Sequence, residues 1–85
     1  MKTVEIYTTP SCSYCQAAKR LLTRKGAAFT EIDVSGNAAL RTEMTRRSGG
    51  GQTVPQIFIG GHHAGGCDDL HALDHAGRLG PLLAE

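Results

Sequence analysis

A chain of 85 residues has room for one hydrophobic core, so the expectation is a single domain over 1–85. Nine Lys and Arg against eight Asp and Glu leave a net charge of +1, too weak a field to bind nucleic acid or an anionic membrane by charge. Leu, Ile, Val and Phe make up only 17 of 85 residues, yet their patterning and the near-zero charge favour a small folded core over disorder.

In chain order, Thr3 to Tyr7 is rich in β-branched and aromatic residues and stops at the turn cluster Thr8-Thr9-Pro10-Ser11, which predicts a first strand. From Ser13 to Lys25, Ala18, Leu21 and Leu22 recur at helical spacing with Cys15 one turn earlier, and Gly26 stands where a helix-ending glycine belongs. Ala28 to Val34, with Phe29, Ile32 and Val34 ahead of Ser35-Gly36-Asn37, predicts a second strand. A second helix is expected from Ala38 to Arg47, with Leu40 and Met44 inward and Arg41, Glu43, Arg46 and Arg47 outward. After the break Ser48-Gly49-Gly50-Gly51-Gln52, strands at Gln56 to Ile59 and around Ala64 flank Gly60-Gly61-His62-His63, read as an exposed hairpin connection. Asp68 or Asp69 is expected to cap a helix carrying Leu70, Leu73 and Ala76 and ended by Gly77, and a last apolar turn spans Leu79 to Leu83.

The order is therefore β-α-β-α-β-β-α. The first two strands, joined by a helix, need a parallel right-handed crossover, whereas a glycine-bounded hairpin must be antiparallel. The expected fold class is α/β: a mixed four-stranded sheet flanked by helices on both faces. In such folds ligand sites lie beyond the carboxyl ends of the strands, where the first strand hands over to Cys12. The N-terminus lacks the apolar region of a signal peptide and no apolar run approaches the roughly 20 residues of a membrane span, so the expectation is a soluble, cytoplasmic protein.

Three cysteines fit poorly with a secreted disulfide framework, which needs an even number. Cys12-Ser13-Tyr14-Cys15 is a C-x-x-C at a strand-to-helix junction, the context in which the motif reads as redox-active. One helical turn brings the two sulfurs within disulfide reach, and the helix N-terminus stabilises a thiolate on the first. Cys12 is thus the candidate nucleophile and Cys15 the candidate resolving thiol. The competing readings are a zinc half-site or two core cysteines. Zinc needs two further ligands, and although Cys67, His62 and His63 exist, no second C-x-x-C or H-x₃₋₅-H lies near them.

Two other segments are candidates for binding. Thr53-Val54-Pro55 precedes the third strand, where Val54 can offer its backbone N–H and C=O to an extended peptide-like ligand; the alternative is a rigid strand entry. Gly65-Gly66-Cys67-Asp68-Asp69 runs into a helix N-terminus, whose N–H groups suit a carboxylate while Asp68 suits an ammonium; the alternative is a turn with an Asp cap. His71 and His75 stand one helical turn apart, but no H-E-x-x-H pattern accompanies them, so a solvated helix face is the reading. Tyr7 reads as core, and Cys67 as a small residue packed beside the ligand site.

Thr8, the C-S-Y-C pair, T-V-P-Q-I-F-I-G-G at Thr53 to Gly61 and G-G-C-D-D-L at Gly65 to Leu70 together resemble the dithiol glutaredoxins of the thioredoxin superfamily, in particular the bacterial glutaredoxin 3 type, nearly from end to end. Thioredoxins share the C-x-x-C and the proline but lack G-G-C-D-D, so the combination is specific. The resemblance implies a thioredoxin-like fold and a glutathione-dependent thiol–disulfide oxidoreductase, with Cys12 as nucleophile and Cys15 as resolving thiol. It also implies that Tyr14 flanks the glutathione, that Thr53 and Val54 hold its backbone beside a cis Pro55, and that Gly66, Cys67 and Asp68 bind its γ-glutamyl end. The implied partners are glutathione and disulfide-bonded or glutathionylated proteins, with a monomeric chain unless a cluster is bound.

The sequence departs from the family pattern at three places. Ser13 stands where a proline is usual, which loosens the turn and resembles glutaredoxins that hold a [2Fe–2S] cluster between two subunits, with Cys12 of each subunit and two glutathiones as ligands. Thr9 and Pro10 occupy the stretch where a lysine commonly binds the glycine carboxylate of glutathione, and Lys19 and Arg20 lie too far along the helix to replace it. The loop Gly49-Gly50-Gly51-Gln52 also lacks basic side chains, leaving that carboxylate to Gln52, Arg47 or solvent and implying weaker glutathione affinity.

Overall fold

The computed structural model describes residues 1–84. Four strands, β1 (Val4–Thr8), β2 (Thr30–Asp33), β3 (Gln56–Ile59) and β4 (His62–Gly65), form one sheet in the order β2-β1-β3-β4. β1 pairs parallel with β2 and antiparallel with β3, and β3 pairs antiparallel with β4, so the sheet is mixed as the connection lengths require. The helices are α1 (Ser13–Arg24), α2 (Ala38–Arg47), α3 (Cys67–His75) and α4 (Leu79–Ala84).

Side chains alternate across a strand, and here the alternation divides the core in two. Val4 and Ile6 of β1, with Ile57 and Ile59 of β3, pack against Ala18, Leu21 and Leu22 of α1, Leu70 of α3 and Leu79 and Leu83 of α4. Tyr7 and Phe58, of opposite parity on the same strands, pack with Val34 against Met44 of α2 on the other face. β3 is buried at every position because it lies inside the sheet and is covered on both sides. The two central strands therefore supply a whole core from few residues, which is how so thin an apolar content suffices.

The helix limits follow local chemistry. Asn37 caps α2 through its Oδ1, which accepts from Leu40 N at 3.0 Å. Gly26, at φ 71°, follows the last turn of α1 in the left-handed conformation that glycine adopts without steric cost. The expected closing turn is a six-residue helix, α4, and Lys2 N donates to Leu83 O at 2.9 Å to tie it to the start of the chain.

Three expectations are corrected. Arg47 does not face outward: it bonds Glu5 Oε1 and the Tyr7 hydroxyl oxygen, each at 2.9 Å, and its guanidinium lies 4.1 Å from the Phe58 ring centroid. The guanidinium thus lies over the α2 face of the sheet, where Glu5 and Tyr7 hold it charged. His62 and His63 belong to β4, and the hairpin turn is Gly60-Gly61 alone, both at positive φ. The third helix is capped at Gly66, one residue before Cys67, and not at Asp68 or Asp69; Asp69 Oδ2 instead reaches back to accept from Gly66 N at 3.0 Å. Among the described residues no helix is long and apolar enough to cross a membrane.

Candidate functional site

β1 ends at Thr8, and the turn that follows delivers Cys12 to the N-cap of α1. Its extended backbone, φ −89° and ψ 112°, places Sγ 3.2 Å from Cys15 N, from which it accepts a hydrogen bond. The sulfur thus does what a serine or aspartate oxygen does at other helix starts. The first turn of α1 contains no acidic residue, so the positive end of the helix is left for negative charge on this sulfur.

Cys15 lies one turn in and is wholly buried. Burial first, and the neighbouring Cys12 second, push its thiol up to about 12. Both cysteines are free thiols, and Cys12 is the half-exposed one. One sulfur is accessible for attack and the other is held protonated beneath it.

The facing wall is the approach to β3. The Val54–Pro55 peptide bond is cis, and the Cys12 thiol donates to the Val54 carbonyl across 3.7 Å. That carbonyl is not free, as the sequence suggested, while Cys12 remains a thiol. Beyond it a groove of about 460 Å³ opens, lined by Tyr14 from α1, Thr53, Val54 and Pro55 from the strand approach, and Gly66, Cys67 and Asp68 from the start of α3. Seven residues from three separate segments therefore share one cavity, and the carbonyl of one of them, Val54, meets the Cys12 sulfur. Tyr14 is 63% exposed, a large apolar surface at the groove.

At the α3 end, Asp69 occupies the Gly66 N–H, while the N–H groups of Cys67 and Asp68 have no acceptor within the helix. Gly65, at φ 107°, packs against Asp69 so closely that any Cβ would strike its carboxylate. Cys67 is buried, and its thiol is pushed up by burial, then by the charge of Asp68 and by Cys12. It is a packing residue at neutral pH and a poor nucleophile. His71 is half-buried rather than on a solvated face, with Nδ1 2.9 Å from the Cys67 carbonyl; His75 is exposed.

The sequence missed Gln56 and His63, which also line the groove. Gln56 Nε2 donates to the Thr53 carbonyl at 3.0 Å, and its Oε1 lies 2.6 Å from His63 Nε2. A polar residue opening an apolar strand, Gln56 before Ile57-Phe58-Ile59, was the available signal, since a buried amide needs partners. Arg47, one candidate for a ligand carboxylate, is committed to Glu5 and Tyr7, whereas Arg41 holds the Gln52 carbonyl at 3.3 Å.

Behind the site, Thr8 Oγ1 donates to Glu31 Oε2 at 2.7 Å, and Lys19 Nζ bonds the same oxygen at 2.9 Å. Lys19 and Thr8 together hold the Glu31 carboxyl below its ordinary range. Among the described residues no three His, Cys, Asp or Glu side chains gather into a metal site. Of the four thiolates a [2Fe–2S] cluster takes, one chain presents Cys12, with Cys15 buried beneath it.

A family model described as Glutaredoxin matches residues 4–64. Glutaredoxin 3 of Escherichia coli strain K12 is 59% identical over 83 residues, covering 98% of this chain and 99% of that protein. Among solved structures, the solution structure of a glutaredoxin from Brucella melitensis is 59% identical with a TM-score of 0.85, covering 98% of this chain and 89% of that one. A buckwheat glutaredoxin–glutathione complex is 30% identical with a TM-score of 0.87, covering 96% of this chain and 76% of that one.

Proposed function

The chain belongs to the glutaredoxin family of thiol–disulfide oxidoreductases, and from that premise we propose that it reduces glutathione mixed disulfides and protein disulfides through Cys12, with Cys15 as the resolving thiol. One observation carries the assignment of roles: Cys12 Sγ stands at the open start of α1, 3.2 Å from Cys15 N and beside the groove, while Cys15 is buried and held protonated.

In the monothiol route, the Cys12 thiolate attacks the glutathione-side sulfur of a mixed disulfide. The new bond is Cys12 to glutathione, and the released thiolate leaves with the electron pair of the broken S–S bond and takes up a proton. A second glutathione thiolate then attacks the glutathione sulfur on Cys12, giving glutathione disulfide and restoring Cys12. The net reaction turns the mixed disulfide and one free glutathione into the reduced substrate thiol and glutathione disulfide, whose second half comes from the substrate. In the dithiol route Cys12 forms a mixed disulfide with the protein substrate. Cys15 then attacks Cys12, passing its proton to the departing substrate thiolate, and two glutathiones reduce the resulting Cys12–Cys15 bond.

The groove is the proposed seat of the glutathione moiety. Thr53 and Val54 run alongside its backbone in the manner of strand addition, Pro55 and Tyr14 flank it, and Gly66, Cys67 and Asp68 receive the γ-glutamyl end, carboxylate on helix N–H groups and ammonium on Asp68. One glutaredoxin domain of this kind, with glutathione as cosubstrate, suits a reducing compartment such as the cytosol. A glutathione-coupled assay tests the roles. Cys12→Ser is expected to abolish both activities. Cys15→Ser is expected to keep turnover of a small mixed disulfide within about twofold while losing reduction of a protein disulfide. Equal loss of both in Cys15→Ser would contradict the assignment.

A further inference from the structure

We propose that His63 is a positioning residue for the glutathione moiety, setting through Gln56 the orientation of the Thr53–Val54 edge. This rests on the reading of the groove as the glutathione site.

Gln56 is only 6% exposed, and its amide joins three segments of the chain. Nε2 bonds the Thr53 carbonyl at 3.0 Å and lies 3.4 Å from the Thr53 hydroxyl, while Oε1 lies 2.6 Å from His63 Nε2. A carbonyl oxygen can only accept, so the amide end facing Thr53 is the NH₂ and the end facing His63 is the oxygen. An amide oxygen in turn can only accept. His63 Nε2 therefore carries a hydrogen and donates it.

The third segment is the glycine loop. A Cβ on Gly51 would stand 2.7 Å from Gln56 Nε2 and 2.6 Å from Ser48 Oγ, so the loop lies directly on the amide, and Ser48 Oγ accepts from Gly51 N at 2.9 Å. The amide has little room to take another rotamer. Its one degree of choice is which end faces Thr53, and the Thr53 carbonyl at one end and the His63 donor at the other fix it together. Without that donor the buried oxygen is left unpaired, and turning the amide over would set oxygen against the Thr53 carbonyl. Either outcome costs more than the bond contributed.

His63 is itself exposed, but its ring is fixed: it lies on Phe58 with centroids 5.0 Å apart, and Phe58 is held from elsewhere by the Arg47 guanidinium. A solvent-facing imidazole thus donates into a buried amide that anchors Thr53, the neighbour of Val54. Val54 is the residue whose carbonyl meets the Cys12 sulfur. His63 acts through Gln56 and Thr53, not on the reacting sulfurs, so it should govern how tightly the substrate is held rather than how fast bound substrate reacts.

Steady-state kinetics on a glutathionylated peptide, at saturating glutathione, test this. His63→Phe keeps a ring on Phe58 and removes the donor. Its KM for the peptide is expected to rise about fivefold with kcat within about twofold of wild type. His63→Gln, which restores an N–H donor, is expected to recover at least half of that loss. A KM in His63→Phe indistinguishable from wild type, a fall in kcat with KM unchanged, or no recovery in His63→Gln would each overturn the role. A wild type that reduces protein disulfides but does not turn over the glutathionylated peptide would overturn the glutathione reading of the groove, and this inference with it.

Discussion

Two helices begin at the same groove, and they begin in opposite ways. α1 is capped by the sulfur of Cys12 and has no acid in its first turn, so no carboxylate stands at its positive end. α3 is capped by Gly66, which has no side chain to offer, and carries Asp68 and Asp69 in its first turn. There the dipole is already answered by carboxylates. The same backbone feature therefore stands once against a cysteine sulfur and once beside fixed carboxylates. Which use a helix start has is decided by two or three side chains, not by the helix.

The largest test of that contrast is thiol reactivity. Burial and the neighbouring Cys12 push the Cys15 thiol up to about 12, so the sign is plain: at pH 8 it stays a thiol. Iodoacetamide at pH 8, followed by mass spectrometry of the peptides, should label Cys12 well before Cys15 or Cys67, and Cys15 should react only as pH climbs toward 12. Early labelling of Cys15 would mean that its burial is not what the fold indicates.

The second test concerns the α3 start alone. Gly65→Ala forces a side chain onto a φ of 107° and into the Asp69 carboxylate, and it is expected to cost about 2 kcal/mol or more in urea unfolding. A change below about 0.5 kcal/mol would show that the loop relaxes freely. The smallest effect separates ligand from structure. Asp68 is exposed and, among the described residues, makes no hydrogen bond comparable to that of Asp69, so Asp68→Asn should leave the unfolding midpoint in place while raising KM for a glutathionylated peptide about three- to tenfold. Loss of stability without a change in KM would make Asp68 a structural cap.

Much of this was legible in the sequence, because it depends on local chemistry. The start of α1 at the cysteine pair, Asn37 ahead of α2 and the strand Gln56–Ile59 all follow from neighbours within a few residues. What escaped depends on distant pairing. Arg47 is turned inward by Glu5 and Tyr7, more than three dozen positions away, which no periodicity within α2 can reveal. β4 is an edge strand of His, His, Ala and Gly with no apolar alternation, so His62 and His63 read as a turn until Phe58 is seen pairing with His63. The cap of α3 was misplaced because an aspartate is the usual cap, whereas here Asp69 sits at the third helical position and reaches back to the N–H of the cap residue Gly66 itself.

The strand order also has a consequence for how the molecule is made. β1 finds its parallel partner by residue 33, but its antiparallel partner β3 ends at residue 59, with Val4 opposite Ile59. Cys12 and the Val54 carbonyl that faces it are 42 residues apart. At about 5–20 residues per second, a ribosome takes roughly 2–8 s between them. Throughout that interval the nascent chain carries both thiols and none of the wall that selects what they meet.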